Sequence, residues 1–386
     1  MTTGQERLVE HRTPHPALIE LAAGRPLPTV PSDAVDGLLA SAAEHRMTGL
    51  LWSRVADGHL DVPKPAMMEL ARTDLRTRAH HLRLWEIATM VRDRLGDHGI
   101  GVAMAKGVAA EARWYDRIGE RPAKDVDLLL EPGAEQRLSE VFDALEPRVR
   151  HGDAALLLTT GYLQSIDLDV EDVEVDLHTD IFKIGVPTRQ IDVMWRRIRK
   201  VAGPHGTAIN ALDPELSFVH FLLHLNRDRF RFLLGFADIG QIMRREELDW
   251  EFIADFVRRE GFDAIVYSAL DAVVTTLDLA YPPLPRPRGL RAGAWRRLWP
   301  AHLRLQRRTQ KAIPYRRQYY IPLLARGRFV EAARCVVRRQ LLPPRSIIDL
   351  HHGDVPGPYL VRLVLGRWRQ QRRERRREAG PPTFAP

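Results

Sequence analysis

With 386 residues, of which 45% are apolar, the chain is long enough for two or three domains with sizeable cores. Its one cysteine, Cys335, excludes an internal disulfide and a cysteine-based metal cluster, as is typical of proteins in a reducing cytoplasm. The N-terminus lacks the cationic and apolar regions of a signal peptide. The longest apolar stretches are far shorter than the roughly 20 residues of a membrane span. We therefore expect a cytoplasmic protein without a membrane span.

The net charge of +8 combines two regions of opposite sign. Residues 281–386 carry 25 Lys and Arg against 5 Asp and Glu, a net charge of +20, whereas the preceding residues carry 33 against 45, a net charge of −12. The basic region is suited to a phosphate-rich partner such as RNA, or to the acidic part of the same chain. Only 6 of the basic residues are lysines, so a general preference for arginine is a further explanation.

Helical patterns dominate the first 95 residues. Ser32 and Asp33 are suited to cap an apolar-periodic run that starts at Val35 and continues, after a short break, through Leu51. A second run, Met67 to Leu95, has apolar residues at helical intervals, and Gly99 suits its C-terminal end.

The pattern changes to strands at residue 100. Residues 100–105 predict a buried strand, which is followed by Lys106 and Gly107 and by a short helix over 108–115. A polar loop, 116–124, leads into a second strand over 125–130.

Later segments alternate between both types of structure. A helix is predicted over 134–145, and residues 166–170 and 173–177 predict a hairpin because acidic and apolar residues alternate there. After Pro187 the chain becomes helical again. Further helices are expected over 216–225, 232–245, 249–260 and 263–279, then a proline-rich linker over 282–291, a basic helical region and a disordered tail.

Asp125 and Asp127 open the strand that follows the polar loop, and strand alternation places both carboxylates on one face. A third acidic segment, containing Glu174 and Asp176, ends the hairpin. Carboxylates on neighbouring strands can hold two divalent cations about 3.5–4 Å apart, an arrangement that serves displacement at phosphorus. Hard oxygen ligands with substrate phosphates favour Mg²⁺ or Mn²⁺. The pattern indicates phosphoryl or nucleotidyl transfer.

The corner between the first strand and the short helix suits a phosphate. Gly107 lets the backbone approach phosphate closely, and the helix that follows offers free N–H groups. Lys106 is suited to contact the β- and γ-phosphates of a nucleoside triphosphate, and an exposed strand terminus is the alternative interpretation.

Three segments together resemble a known family: 100–107, 121–130 and 173–178. They are similar to the uncharacterised nucleotidyltransferase family of the DNA polymerase beta-like superfamily, in which a Lys-Gly corner stands where many relatives have Gly-Ser. Residues 42–51 and the segment 214–239 are similar to the family's flanking helices. The resemblance covers about residues 20–250.

The resemblance implies specific roles for site residues. By resemblance, the catalytic carboxylates that bind the metal ions are Asp125, Asp127 and Asp176. The residues that bind the triphosphate are Lys106, Gly107 and Arg121. It also implies Mg²⁺ or Mn²⁺ as cofactor and a nucleoside triphosphate (NTP), such as ATP, as substrate. Thr179 follows His178 where the family often has tryptophan, which puts the acceptor side of the pocket in question. As a loop residue, Arg121 is equally consistent with plain solvation.

Other residues also have a second interpretation. Glu174 faces the same side as Asp176 and is the alternative third carboxylate. His178 either orients a carboxylate, acts near the acceptor or is structural. His220 and His224 have the spacing of metal ligands on a helix, but no glutamate follows His220, which favours an ordinary helix face.

We predict an α+β protein with a polymerase beta-like nucleotidyltransferase core. The expected divisions are an N-terminal helical segment (1–96), the core with a small mixed sheet (97–200), a helical domain (201–281) and a basic helical region with a disordered tail (282–386). The predicted reaction moves a nucleotide from an NTP to a hydroxyl or similar acceptor, a small molecule or modified peptide, and releases pyrophosphate. The alternatives are an RNA- or tRNA-modifying enzyme that uses the basic region, and a non-catalytic nucleotide- or nucleic-acid-binding relative. The sequence does not specify the nucleotide, the acceptor or the oligomeric state.

Overall fold

A computed structural model describes residues 13–137, 142, 145, 148–149, 164–182, 187–289, 292–295, 297 and 329–336. Within these residues, helices precede and follow a mixed sheet. The N-terminal helices are α1 (Pro16–Ala22), α2 (Val35–Glu44), α3 (Thr48–Ala56) and α4 (Lys64–Asp97). The predicted helical runs are confirmed, and the second of them is a single helix of 34 residues.

The sheet, as far as the structure describes it, has seven strands in the order β3-β4-β5-β2-β1-β7-β6. Their bounds are β1 (Val102–Met104), β2 (Val126–Leu130), β3 (Arg148–Val149), β4 (Ser165–Val170), β5 (Val173–His178), β6 (Arg199–Ala202) and β7 (Ala208–Ala211). β1 is antiparallel to β2 and parallel to β7, and β2 is parallel to β5. The predicted α+β class and mixed sheet are confirmed. The last two strands extend the sheet to Ala211, while the domain boundaries stay a prediction.

The predicted hairpin is confirmed as β4 and β5, with Ser165 opposite His178. Its turn residues Glu171 and Asp172 have φ values of 48° and 64°. Two successive left-handed residues match the right-handed twist of the flanking strands, which is why such turns join hairpins. The turn therefore fixes the register that carries the acidic residues.

The sheet has one apolar side, which packs on the C-terminal half of α4. Leu84, Ile87 and Val91 of this helix form a core cluster with Leu128 of β2 and Leu177 of β5. All side chains of this cluster are buried, so the cluster fixes the sheet against α4.

The other side of the sheet faces a helical layer. This layer consists of α7 (Pro214–Arg227), α8 (Leu233–Arg245), α9 (Trp250–Glu260) and α10 (Asp263–Leu277), which confirm the helices predicted there. Leu129 belongs to the core of this layer. Since Asp127 and Leu129 share one side of β2, the acidic positions face the helical layer.

Shorter elements complete the described residues: α5 (Val108–Trp114) follows β1, and α6 (Ile191–Arg196) precedes β6. The helix predicted over 134–145 begins as a 3₁₀ turn at Ala134–Gln136, and most of its remainder lies outside the described residues. The predicted linker is described over 282–289, where it contains neither helix nor strand. The basic region and tail lie largely outside the described residues, apart from α11 (Phe329–Val336). Within the described chain, no helix is both long enough and apolar enough to cross a membrane.

Candidate metal and nucleotide site

Three aspartates on neighbouring strands form a row, which we call the acidic row. Asp127 of β2 lies opposite Asp176 of β5, and Asp176 lies opposite Asp167 of β4. Two groups of side chains, among those described, have all their ligating atoms within 4.8 Å of one another. The first is Asp127, Asp176 and His178, and the second is Asp167, Glu174 and Asp176. Asp176 is common to both groups, because the strand register places it between Asp127 and Asp167.

Asp125 lies one residue before β2 begins, and Glu174 lies on β5 two residues before Asp176. Lys124 Nζ is 3.5 Å from Asp125 Oδ2 and 3.9 Å from Glu174 Oε2. Neither of the two groups above includes Asp125. Glu174 belongs only to the group that lacks Asp127. The metal roles of the three predicted aspartates stay predictions, and Asp127 and Asp176 are the pair that the fold brings together.

Asp127 lies between two nitrogen groups. Lys106 Nζ is 3.1 Å from its Oδ2, and His178 Nε2 is 3.0 Å from its Oδ1. The carboxylate is almost fully buried, and burial raises its pKa, but Lys106 and His178 lower it more, so the pKa of Asp127 lies well below its ordinary value. Asp127 is therefore ionised at neutral pH, as a metal ligand must be. One of the sequence interpretations of His178, orientation of a carboxylate, matches this contact.

The Lys-Gly corner is placed by the sheet. Ala105 N donates to Asp127 O at 3.1 Å, so Lys106 begins where β1 leaves the sheet beside the acidic pair. Gly107 has a φ of 65° and a ψ of −131°, a conformation that side chains with a Cβ rarely adopt. A Cβ at this position would lie 3.4 Å from Asp125 O. The glycine thus lets the corner pass close to the strand that carries both aspartates.

Arg121 is buried rather than solvated. Its Nε and Nη2 donate to Asp238 Oδ1 at 2.8 Å and Oδ2 at 2.9 Å, and its Nη1 donates to Gly107 O at 3.4 Å. Tyr115 donates its hydroxyl to the same carboxylate at 2.6 Å. The arginine therefore ties the Lys-Gly corner to α8, and its predicted contact with triphosphate stays a prediction.

Two buried residues that sequence reasoning missed hold the loop before Asp125. Glu111 Oε1 accepts from Gly119 N at 2.8 Å and from Arg121 N at 3.0 Å. Its Oε2 lies 2.7 Å from His81 Nδ1, and His81 Nε2 accepts from Ala123 N at 3.0 Å. Since Nε2 is an acceptor, the proton of this neutral ring lies on Nδ1 and is donated to Glu111. No local motif marks this pair, because its members are 30 residues apart.

α7 lies near the acidic row, since the charges of Lys106 and Asp127 both act on His220. His224 Nδ1 lies 3.1 Å from Asp228 Oδ2, and His220 packs edge-on against Phe182. Burial is the main cause that lowers the pKa of both histidines, to about 4 for His224, and the charge of Lys106 lowers both further. Both rings are therefore neutral at pH 7. Neither belongs to the two groups able to hold a metal, which agrees with the helix-face interpretation.

A mixed sheet with a Lys-Gly corner and acidic strands on one face defines a nucleotidyltransferase-like fold. The chain belongs to the uncharacterised nucleotidyltransferase family, whose sequence model matches residues 31–278. The resemblance drawn from the sequence is thereby confirmed. No curated protein matches the chain.

One similar solved structure is that of an antigenic nucleotidyltransferase-like protein from Paracoccidioides brasiliensis. It is 15% identical, and the match covers 50% of this chain and 92% of that one, with a TM-score of 0.34. A TM-score this low supports no inference about the site.

Proposed function

We propose that the protein transfers a nucleoside monophosphate from an NTP to an acceptor hydroxyl and releases pyrophosphate. The observation that carries the proposal is the register of two parallel strands, which sets Asp127 opposite Asp176. Their ligating atoms lie within 4.8 Å of each other, close enough to share an ion. Asp125 lies two residues before Asp127, directly before β2, and we assign it the remaining ligand position because strand alternation would place its carboxylate on the side of Asp127.

The donor set fits a divalent metal ion. Asp127 and Asp176 offer a set of hard carboxylate oxygens, while His178 Nε2 lies 3.0 Å from Asp127 Oδ1 and orients that carboxylate. This set, together with substrate phosphates, suits Mg²⁺ or Mn²⁺. Such ions, when bound, stabilise the charge that develops on the attacking and leaving oxygens at phosphorus.

The chain's own residues supply the rest of the mechanism. The acceptor oxygen attacks the α-phosphorus, the bond between the α-phosphorus and its bridging oxygen breaks, and pyrophosphate leaves with that oxygen. Lys106 offers a cation to the leaving phosphates from a position beside Asp127. Asp176 takes up the hydroxyl proton, and His178 holds Asp127 in orientation through its 3.0 Å contact.

For the acceptor we propose a small molecule or modified peptide. The neutral rings of His220 and His224 and the apolar ring of Phe182 support this choice, because such a surface suits a small molecule or a peptide.

The test is incubation of the purified protein with Mg²⁺, a cell extract and NTPs labelled at either the α- or the γ-phosphate. Nucleotidyl transfer moves the α-label to an acceptor and releases the γ-label as pyrophosphate. Mass spectrometry of the labelled product then identifies both the nucleotide and the acceptor. Transfer of the γ-label instead would contradict the proposal, because it would indicate a kinase.

Matched variants connect this reaction to the acidic row. Asp127→Asn and Asp176→Asn remove one charge each with little change of shape, and we expect each to reduce transfer by at least about 100-fold. Asp172→Asn makes the same chemical change in the exposed hairpin turn and is expected to retain transfer. Binding of the NTP without transfer to any acceptor would favour a non-catalytic relative.

A further inference from the structure

Large apolar side chains are exposed on one face of α4. In the described part of the chain, five large apolar side chains are exposed, and four of them lie on this helix: Met67, Met68, Leu75 and Leu82. Leu75 is the most exposed of the four, at 69%. Single exposed apolar residues are normal, but a cluster on one face is typical of a surface that binds a partner. The first half of α4 therefore has an apolar face that the protein's own core does not cover.

Other side chains of the same helix hold it against the protein. Leu70 is buried in the core of the helical layer, and His81 Nδ1 lies 2.7 Å from Glu111 Oε2. Further along the helix, Arg83 pairs with Glu171 of the hairpin turn. Because these contacts fix α4 in place, its exposed face is a preformed surface.

The exposed face is a stripe whose order of side chains is the same in both directions. Its members, which we call the α4 stripe, are Lys64, Met68, Ala71, Leu75, Ala79, Leu82 and Glu86. At 3.6 residues per turn, all of them lie within about 40° of Leu75, and the stripe is about 33 Å long. From either end, the order is charged, large apolar, small, large apolar, small, large apolar and charged. The two ends carry opposite charges.

This order makes the stripe complementary to a second copy of itself. A two-fold axis relates equal surfaces, so residue i of one copy contacts residue j of the other and the reverse contact forms as well. With the axis at Leu75 and the two helices antiparallel, Leu75 faces Leu75 of the second copy, and Met68 faces Leu82. Ala71 then faces Ala79, and two small residues let the helix axes approach closely. The three large apolar residues of each copy are thereby covered.

The charged ends of the stripe favour the antiparallel direction. In that arrangement, Lys64 of each copy faces Glu86 of the other, so opposite charges meet at both ends. A parallel pair would instead bring Lys64 to Lys64 and Glu86 to Glu86, which is unfavourable. Within one copy, Glu86 pairs with Arg83 at 2.7 Å, and Arg83 also pairs with Glu171. Arg83 therefore keeps a carboxylate when Glu86 turns to the second copy.

We propose that the protein forms a two-fold dimer in which the α4 stripes of two copies pack antiparallel around Leu75. The occupant of the stripe is a second copy of this chain, because both the order of side chains and the charges at the ends match the stripe itself. One helix from each copy gives a smaller interface than the roughly 800 Å² per partner of a stable complex. The dimer is therefore weak, and it forms independently of the proposed reaction.

Sedimentation velocity of the purified protein, from about 1 to about 500 μM, tests the proposal in the range where small interfaces dissociate. We expect an equilibrium between monomer and dimer that depends on concentration. Leu75→Glu places two like charges against each other at the axis and is expected to raise the dissociation constant at least about 100-fold. Glutamate favours helices as leucine does, so the circular dichroism spectrum should stay the same.

Val330→Glu is the matched control for this variant. Val330 lies on α11 and is 66% exposed, so the change adds the same charge at an exposed apolar position outside the stripe. We expect it to leave the dissociation constant unchanged. A monomer throughout the concentration range would overturn the proposal and assign the stripe to a different protein. A dimer that Leu75→Glu leaves intact would overturn it as well, because the copies would then meet at another surface.

Charge reversal tests the direction of the two helices. Lys64→Glu and Glu86→Lys each bring like charges together at both ends of an antiparallel pair, and each is expected to weaken the dimer about fivefold. The double variant, with both changes in one chain, restores opposite charges at both ends and is expected to dimerise as the wild type does. In a parallel pair, like charges meet in all four proteins, so the variants would not differ. Equal dissociation constants in the four proteins, or a double variant weaker than both single variants, would contradict the antiparallel arrangement.

Discussion

Glu111→Gln is the change that most directly tests how the loop before Asp125 is held. In the wild type, the carboxylate accepts hydrogen bonds from Gly119 N, Arg121 N and His81 Nδ1. A glutamine has the same shape, and its carbonyl oxygen can still accept from the two backbone groups. Its NH₂ group, however, then faces the N–H of His81. The ring cannot switch its proton without losing the bond from Ala123 N.

The size of the effect follows from this conflict between two donors. The variant loses one hydrogen bond to a charged group, which contributes about 1.5–3 kcal/mol, and leaves at least one buried donor unsatisfied, at a cost of about 1–3 kcal/mol. Partial relaxation of the loop offsets some of this loss. We expect the free energy of unfolding to fall by about 3 kcal/mol.

Denaturation in urea, followed by circular dichroism, measures this difference. Glu69→Gln is the control, because Glu69 is exposed on α4 and pairs with Arg72 at 3.3 Å. Its effect is expected to remain within about 0.5 kcal/mol. If Glu111→Gln also changed the free energy of unfolding by less than about 0.5 kcal/mol, the assigned tautomer and the buried network would be wrong.

Three further predictions follow from local geometry. Gly49→Ala places a Cβ 2.0 Å from Gly119 O and should destabilise the fold by about 1–3 kcal/mol. Gly37→Ala is the control: its Cβ would have no atom within 4 Å, so the change should stabilise α2 by up to about 1 kcal/mol. Thermal melting measures both variants. Gly107→Ala should cost about 1–3 kcal/mol in stability, because alanine rarely adopts a φ of 65° with a ψ of −131°. It should also weaken NTP binding measured by calorimetry. Burial lowers the pKa of His224 to about 4, below its ordinary value of 6.5. Between pH 4 and pH 6.5 the unfolded chain therefore binds more protons than the folded chain. Stability should fall by up to about 3 kcal/mol as the pH drops from 6.5 to 4, and denaturation curves of His224→Gln should show a smaller loss.

The sheet and the helices were predictable where periodicity is strong. The hairpin of β4 and β5 alternates acidic and apolar residues on both sides of Glu171 and Asp172, so both its existence and its register could be predicted. The helix α4 could be predicted for a similar reason, since its apolar residues recur at helical intervals. The proximity of Asp127 and Asp176 could be predicted, because both lie at strand positions that face one side of a sheet.

The environment of these carboxylates could not be predicted, because the local sequence does not show whether a polar residue is buried. Arg121 has the sequence context of a solvated loop residue, yet it is buried against Asp238, which is 117 residues away. Glu111 occupies a short helix with mixed composition, and only the fold brings His81 to it. Pairs of this kind depend on which helix covers which face of the sheet, and periodicity does not encode that choice.

Gly49 shows how a tertiary contact can depend on a single residue. Its segment reads as an ordinary helix start, but the missing side chain lets α3 approach Gly119 and Glu120 so closely that any Cβ would overlap their backbone. The loop that α3 contacts is the one that Glu111 holds and that leads to Asp125. The helices before the sheet therefore act on the candidate site through a backbone contact, and a substitution far from Asp125 in sequence should disturb the placement of its carboxylate.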